Sequence, residues 1–263
     1  MNNEKITLNP RDGWMGWFPK GGIKTIVDPE NGRISNFLED ASQQLPENSK
    51  ILDASAGQCP YRKHFKRHQY ESCDVPGGFY QNEHDFECLL DDIPKPDHEY
   101  DAVILTQVLE HVPSPLNVLK EINRVIKPGG KLIISVPLNC PLHGLPWHFF
   151  NFTHFALNEL ARETGYVMIE CEKVGGAFWF YGKNLQTTNR QIMKSMDPFR
   201  AKKRGKDPVL CTVFTILYAP VWLIFRLLLS YLFRPACYWL DRLDSDKMLT
   251  LGYTAVFLKT DSK

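Results

Sequence analysis

The chain has 263 residues, 43% of them apolar, and a formal net charge of +1. That is enough apolar content for one substantial domain with an addition, and too little net charge for a global field that would draw it to nucleic acid. Seven scattered cysteines, Cys59, Cys73, Cys88, Cys140, Cys171, Cys211 and Cys237, lack two-residue pair spacing, which speaks against a disulfide framework or a zinc ribbon and for reduced cytoplasmic thiols.

The first twenty residues are interrupted by Pro10, Asp12, Gly13 and Pro19 and are not expected to act as a secretory signal. Trp14, Trp17 and Phe18 follow in a Gly/Pro-rich stretch, either covering a ligand or pinning a tail to the core. Ile34, Phe37 and Leu38 predict a helix that ends before Pro46. Residues 51–57, Ile-Leu-Asp-Ala-Ser-Ala-Gly, then read as an apolar strand running into a small-residue turn. Ala54, Ser55, Ala56 and Gly57 would let a ligand lie close to the backbone, and Gly57 can take dihedrals closed to other residues.

A second predicted strand, Tyr70–Cys73, ends at Asp74. A dinucleotide-binding strand stays apolar where Asp53 stands and places its acid about twenty residues later. Acids in both places suit a ligand with an ammonium at one end and a ribose at the other, as in S-adenosylmethionine. The next strand, Glu99–Leu105, leads into Thr106-Gln107-Val108-Leu109-Glu110-His111-Val112. A helix follows, with Ser114 as N-cap, Pro115 at its first position and Leu116, Leu119, Ile122 and Ile126 on its core face. It stops at Pro128-Gly129-Gly130, and Lys131–Pro137 reads as a buried strand.

The segments LDASAGQCPYR, YDAVILTQVLEHV and INRVIKPGGKLIISVP, in this order across residues 48–175, resemble a class I S-adenosylmethionine-dependent methyltransferase. The resemblance implies an α/β fold, a Rossmann-like seven-stranded, mostly parallel sheet flanked by helices, whose last strand, at Tyr253–Lys259, runs antiparallel. The sequence pattern by itself supports an alternating strand and helix chain. On this reading residues 1–47 form an N-terminal cap, 48–180 with 250–263 the S-adenosylmethionine-binding domain, and 181–249 a helical hydrophobic insertion. The resemblance assigns Asp53 to the turn and the methionine ammonium, Asp74 to the ribose, the Asp92-Ile93 loop to adenine, and Gln107 to the wall near the sulfonium, with Ala54, Ser55, Ala56 and Gly57 forming the cradle. Glu110 and His111 either orient the following helix or touch the acceptor.

Methyl transfer needs chiefly positioning and exclusion of water, and an oxygen acceptor gains from a general base. His148 and His143, after the fifth strand, lie where parallel α/β sheets bind ligands and are the candidate bases. Histidines at 143, 148 and 154 are not spaced for one helical face, so no metal is expected.

Residues 199–207, FRAKKRGKD, are polybasic, and 208–233 are almost wholly apolar with Arg226 as the single charge. Pro220 and Pro235 divide the apolar run into pieces too short to span hydrocarbon, and Arg226, Ser230 and Arg234 fall four apart on one stripe. An in-plane or re-entrant helical hairpin at the cytoplasmic face of a membrane is expected, with a lid or an oligomer contact as the alternative. The acceptor is then a small or lipid-linked molecule, such as a glycan intermediate, a quinone-like ring or a polyketide-like metabolite, methylated on oxygen. A non-catalytic cofactor-binding scaffold is the alternative from another class. A nucleic-acid methyltransferase rests only on the basic run.

Overall fold

The computed structural model describes residues 28–78, 83–196 and 207–260. Trp14, Trp17, Phe18 and the basic residues 200–206 lie outside them. Seven strands pair into one sheet: β1 (Lys50–Ala54), β2 (Gln69–Asp74), β3 (Phe86–Glu87), β4 (Tyr100–Thr106), β5 (Ile126–Pro137), β6 (Tyr166–Lys173) and β7 (Gly252–Lys259). Their spatial order is β3-β2-β1-β4-β5-β7-β6, and β7 alone runs antiparallel to its neighbours.

Both faces of the sheet are buried, which is why its central strands read as continuous apolar runs. Side chains alternate between the faces. Ile51, Ala102, Ile104, Ile133 and Val256 pack with Ile34, Phe37 and Leu38 of helix α1 (Pro29–Gln43). Leu52, Val103, Leu105, Leu132, Ile134, Ala255 and Phe257 share the other core with α2 (Pro115–Val125) and α3 (His154–Glu163). Pro115 stands in the first turn of α2 as expected, but Ser114, at the N-cap, makes no side-chain capping bond. Thr153 caps α3 by accepting from the Ala156 amide at 3.2 Å.

The polypeptide divides into two units, the sheet with residues 30–174 and 251–260, and a helical unit from residues 175–250. The sheet resumes where it left off, because Val174 donates to Gly252 O at 2.9 Å and Leu251 donates to Val174 O at 3.1 Å.

The helical unit pairs α4 (Ala177–Met196) with a rod made of α5 (Pro208–Leu228), a π-helical turn (Leu229–Phe233), α6 (Arg234–Leu240) and a 3₁₀ turn (Asp241–Leu243). The expectation that prolines divide this run into a hairpin is corrected. Pro220 sits inside α5 and costs one ladder bond, while Pro235 stands at the start of α6, just after a turn whose ladder shifts to an i→i−5 bond, Arg234 N to Leu229 O. That shift is the ordinary way to relieve a proline ring against the preceding carbonyl. The antiparallel partner of the rod is α4: Trp179 stacks on Tyr238 at 5.8 Å, and Gly182 lets the helices close at Cys237. Two members of the expected polar stripe, Ser230 and Arg234, bond Gln186 of α4 at 3.4 and 2.7 Å, so Arg234 turns to the neighbouring helix and not to headgroups. The Arg226 guanidinium lies 5.2 Å from the Trp222 ring.

The buried Asp241 carboxylate accepts from the Gly176 amide at 3.0 Å and the Trp179 amide at 3.1 Å, and Asp244 accepts from Ala177 N at 2.7 Å. Together they satisfy the open amides at the N-terminus of α4 and oppose its dipole.

Gly252 opens β7 beside Pro137, where an added Cβ would stand 2.3 Å from the Val136 carbonyl oxygen. Backbone cannot yield as a side chain does, so Gly252→Ala should lower the unfolding free energy by about 1–3 kcal/mol. Urea unfolding followed by circular dichroism checks this through a fallen midpoint.

Candidate functional site

Because the two sheet faces are apolar, ionisable groups gather at the strand ends. At the carboxyl end of β1 the backbone takes positive φ at Ser55 (60°), Gly57 (55°) and Cys59 (49°). Only glycine adopts this region freely, so Ser55 and Cys59 hold strained conformations of the kind found at ligand clamps. Ala54, Ala56 and Gly57 are buried and small, and they keep the turn narrow.

The expectation that Asp53 organises this turn is corrected, since Asp74 at the end of β2 does so. Its Oδ2 accepts from the Gly57 amide at 3.0 Å, and its Oδ1 accepts from Ser55 Oγ at 3.2 Å and from Val75 N at 2.8 Å. Charge-assisted bonds of this type are the stronger ones. The side chain of His84, almost wholly buried, brings Nε2 to 3.8 Å from Asp74 Oδ2. Sequence reasoning passed over His84 because it lies in a polar stretch without periodicity.

Asp53 is buried within β1 and accepts a hydrogen bond from the Tyr70 hydroxyl of the neighbouring strand. Burial, reinforced by the charge of Asp74 and opposed by the Tyr70 bond, pushes its carboxyl up to about 6. Gln107, past the end of β4, has φ of 55°, donates its amide to Ser135 O at 2.9 Å and its side chain to Ser135 Oγ at 3.3 Å.

The Asp92-Ile93 expectation does not hold for Ile93. Its side chain is in the core, its amide donates to Glu121 Oε1 at 2.8 Å, and its carbonyl accepts from Arg124 at 2.9 Å. Asp91 and Asp92 are exposed. The exposed apolar side chain next to the end of β3 is Leu89.

The loop after β5 folds back over the segment that follows β4. Phe149 N donates to the Glu110 carbonyl at 2.8 Å, and a Cβ at Gly144, whose φ is 58°, would meet the His111 ring at 3.1 Å. His148 does not have the geometry of a free base. Its Nδ1 accepts from the His143 amide at 3.2 Å, and its Nε2 faces Phe150 O at 3.2 Å and Asn151 Oδ1 at 3.3 Å, both acceptors. The ring therefore braces the loop. His143 lies 4.7 Å from the His111 ring and 4.5 Å from the His148 ring, whereas His154 turns away to the Tyr253 hydroxyl at 3.3 Å. Glu110 is fully buried, and desolvation raises its carboxyl to about 7.

Asp53 gives a pH signature. Its raised pKa in the folded state, against 3.8 when unfolded, means that the native protein binds more protons between about pH 4 and 6. Stability should therefore fall as pH rises through that window, by on the order of 3 kcal/mol from this group. Asp53→Asn, which keeps an acceptor for Tyr70, should raise the melting temperature at pH 7 and leave it nearly unchanged at pH 4. Calorimetric scans at the two pH values check this.

The family profile described as a methyltransferase domain matches residues 30–171, more than half of the chain. A demethylmenaquinone methyltransferase of Geobacillus sp. (strain WCH70) is 40% identical over 63 residues, 23% of this chain and 27% of that enzyme, so the chain matches about a quarter of that relative's length. Among solved structures, the [4+2]-cyclase SpnF aligns with a TM-score of 0.53 at 16% identity, covering 88% of this chain and 81% of that one. The 1,6-didemethyltoxoflavin-N1-methyltransferase of Burkholderia thailandensis, with bound S-adenosylhomocysteine, aligns at 0.50 with 13% identity, covering 90% and 79%. With the profile spanning strands β1 to β5 and most of β6, and with the antiparallel seventh strand in place, the chain belongs to the methyltransferase-domain family, the S-adenosylmethionine-dependent enzymes of Rossmann-like fold.

Proposed function

We propose that the protein transfers a methyl group from S-adenosylmethionine to an oxygen of a small or lipid-linked acceptor at the cytoplasmic face of a membrane. The observation that carries this reading is the β1 turn, where Asp74 holds a chain of small residues in left-handed backbone. Its narrow cradle suits a ligand lying against the backbone. Asp74 Oδ2 keeps acceptor capacity for a ribose hydroxyl beside its bond to Gly57. Asp53, poised between its two protonation states, would be held ionised by a ligand ammonium. Gln107 would line the wall by the sulfonium and Leu89 the adenine side. S-adenosylmethionine supplies a methyl on a sulfonium, so its carbon–sulfur bond breaks as the acceptor oxygen's lone pair forms the new bond, leaving a neutral thioether and one acceptor proton to be removed. The ionisable groups that a hydroxyl would meet at this edge are the imidazoles of His111 and His143.

Two observations favour an apolar, quinone-like or lipid-linked acceptor. One is the stretch shared with the demethylmenaquinone methyltransferase. The other is the rod of the helical unit, where Thr215–Leu243 contains a stretch long and apolar enough to cross a membrane. Ile216, Leu217 and Ile224 are 67%, 72% and 61% exposed, so the rod is apolar on its outside and not only towards α4. The rod's partner carries Lys183, Arg190 and Lys194, and the basic run 200–206 links the two. A helix pair of that composition suits insertion along the interface better than a crossing.

Asp74→Ala should weaken S-adenosylhomocysteine binding by about ten- to a hundredfold, from a charged bond of about 1.5–3 kcal/mol. Titration calorimetry checks it, and an unchanged affinity would remove the basis of the cradle assignment. Label from methyl-labelled S-adenosylmethionine should appear in the lipid fraction of a cell extract incubated with the protein. The membrane reading has its own test in flotation with anionic vesicles: Leu217→Asp with Ile224→Asp should abolish it, since these side chains are exposed, and higher salt should weaken it. Wild-type protein that stays in the soluble fraction at low salt would refute lipid contact.

A further inference from the structure

Glu110 is 0% exposed, and neither of its carboxylate oxygens has a hydrogen-bond partner. A buried carboxylate without a partner is costly, and two imidazoles stand ready to complete its surroundings. His111 Nε2 lies 3.8 Å from Glu110 Oε1, and one ligand atom each from Glu110, His111 and His143 fall within 4.8 Å of one another. The ring orientations are fixed from behind. His111 Nδ1 is 2.5 Å from the Trp147 carbonyl oxygen, and His143 Nδ1 is 3.1 Å from the Pro141 carbonyl oxygen. A carbonyl can only accept, so each Nδ1 carries the proton and the lone pair of each ring is on Nε2, which for His111 is the atom nearest Glu110. A backbone carbonyl behind the distal nitrogen is the usual support of a metal-ligating histidine.

We propose that Glu110, His111 and His143 form a binding site for a divalent transition metal, zinc above all, with a fourth position open to an oxygen ligand. Two imidazoles and one carboxylate are the donor set of three-ligand zinc centres, whereas calcium and magnesium take oxygen donors. Tetrahedral ligands about 2.1 Å from zinc lie about 3.4 Å apart, so the cluster must tighten by roughly an ångström. His143, exposed on the loop after β5, is the member that can move. Sequence spacing concealed the site, because the histidine run at 143, 148 and 154 drew attention to itself while the partners of His143 lie some thirty residues earlier at the end of β4. His148 serves the site indirectly, by holding the His143 amide. Under the O-methylation reading the open position would bind the acceptor oxygen and lower the pKa of its hydroxyl. That use rests on the reading above, whereas metal binding does not.

The test is calorimetric titration of the chelator-treated full chain with zinc chloride alone, without cofactor or acceptor, with metal content measured after dialysis. One zinc per chain is expected. His143→Ala and Glu110→Gln should each weaken it at least about tenfold, and His154→Ala should leave it unchanged. His143 is exposed, so its variant keeps the fold even if the Glu110 variant does not. A cobalt-loaded sample should show the intense visible bands of four-coordinate cobalt, and these should be lost in His143→Ala. Absence of zinc binding at about 100 µM, or wild-type affinity in His143→Ala, would overturn the site while leaving the methyltransferase reading to its own cofactor titration.

Discussion

A sheet covered on both faces confines its polar chemistry to the strand ends. From Ile51 and Leu52 to Ala255 and Phe257, successive residues feed two separate apolar cores, and an ionisable side chain on either face would pay its full desolvation cost. Asp53 shows the scale of that constraint, since burial moves its carboxyl up to about 6 even with the Tyr70 hydroxyl against it. Asp74 and Glu110 lie at the carboxyl ends of β2 and β4, where the chain leaves the sheet and ligands can approach.

Much of this was legible in the sequence because it is local. An apolar strand, a small-residue turn and an acid at the next strand end are each written within ten residues, and their order fixes the neighbouring strands. The division of labour between the two acids was not legible, because it depends on cross-strand register. Asp53 pairs with Ser72 of β2, which places Tyr70 within reach of its carboxylate and sends Asp74 past the end of β1 to the Gly57 amide. Ile93 failed for a similar reason, since the groups that claim its peptide, Glu121 and Arg124, sit on a helix some thirty residues later. Glu110 and His143 meet only because the loop after β5 turns back on the Glu110 carbonyl.

The helical unit was misjudged through its prolines. Proline disfavours helix interiors, but the cost is a few kcal/mol, and a long apolar run with a π turn placed before Pro235 absorbs it. The polar stripe Ser230 and Arg234 then finds its partner in Gln186 on α4, so it specifies helix pairing. Asp241 and Asp244, reaching back to the amides of α4, close the unit at its base with charge on dipole.

The junction at Val174 and Leu251 has consequences for folding. These residues are hydrogen-bonded neighbours at the ends of two adjacent antiparallel strands, so residues 175–250 amount to a greatly enlarged hairpin loop. Lengthening a loop adds only about 0.6 kcal/mol per doubling to the entropy of closing it, and the sheet therefore tolerates so large an insertion with little thermodynamic penalty. The kinetic burden is greater. β7 must slot between β5 and β6 after the whole insertion has emerged, so the pairing of Gly252–Lys259 with both neighbours is the long-range contact on which completion of the sheet depends.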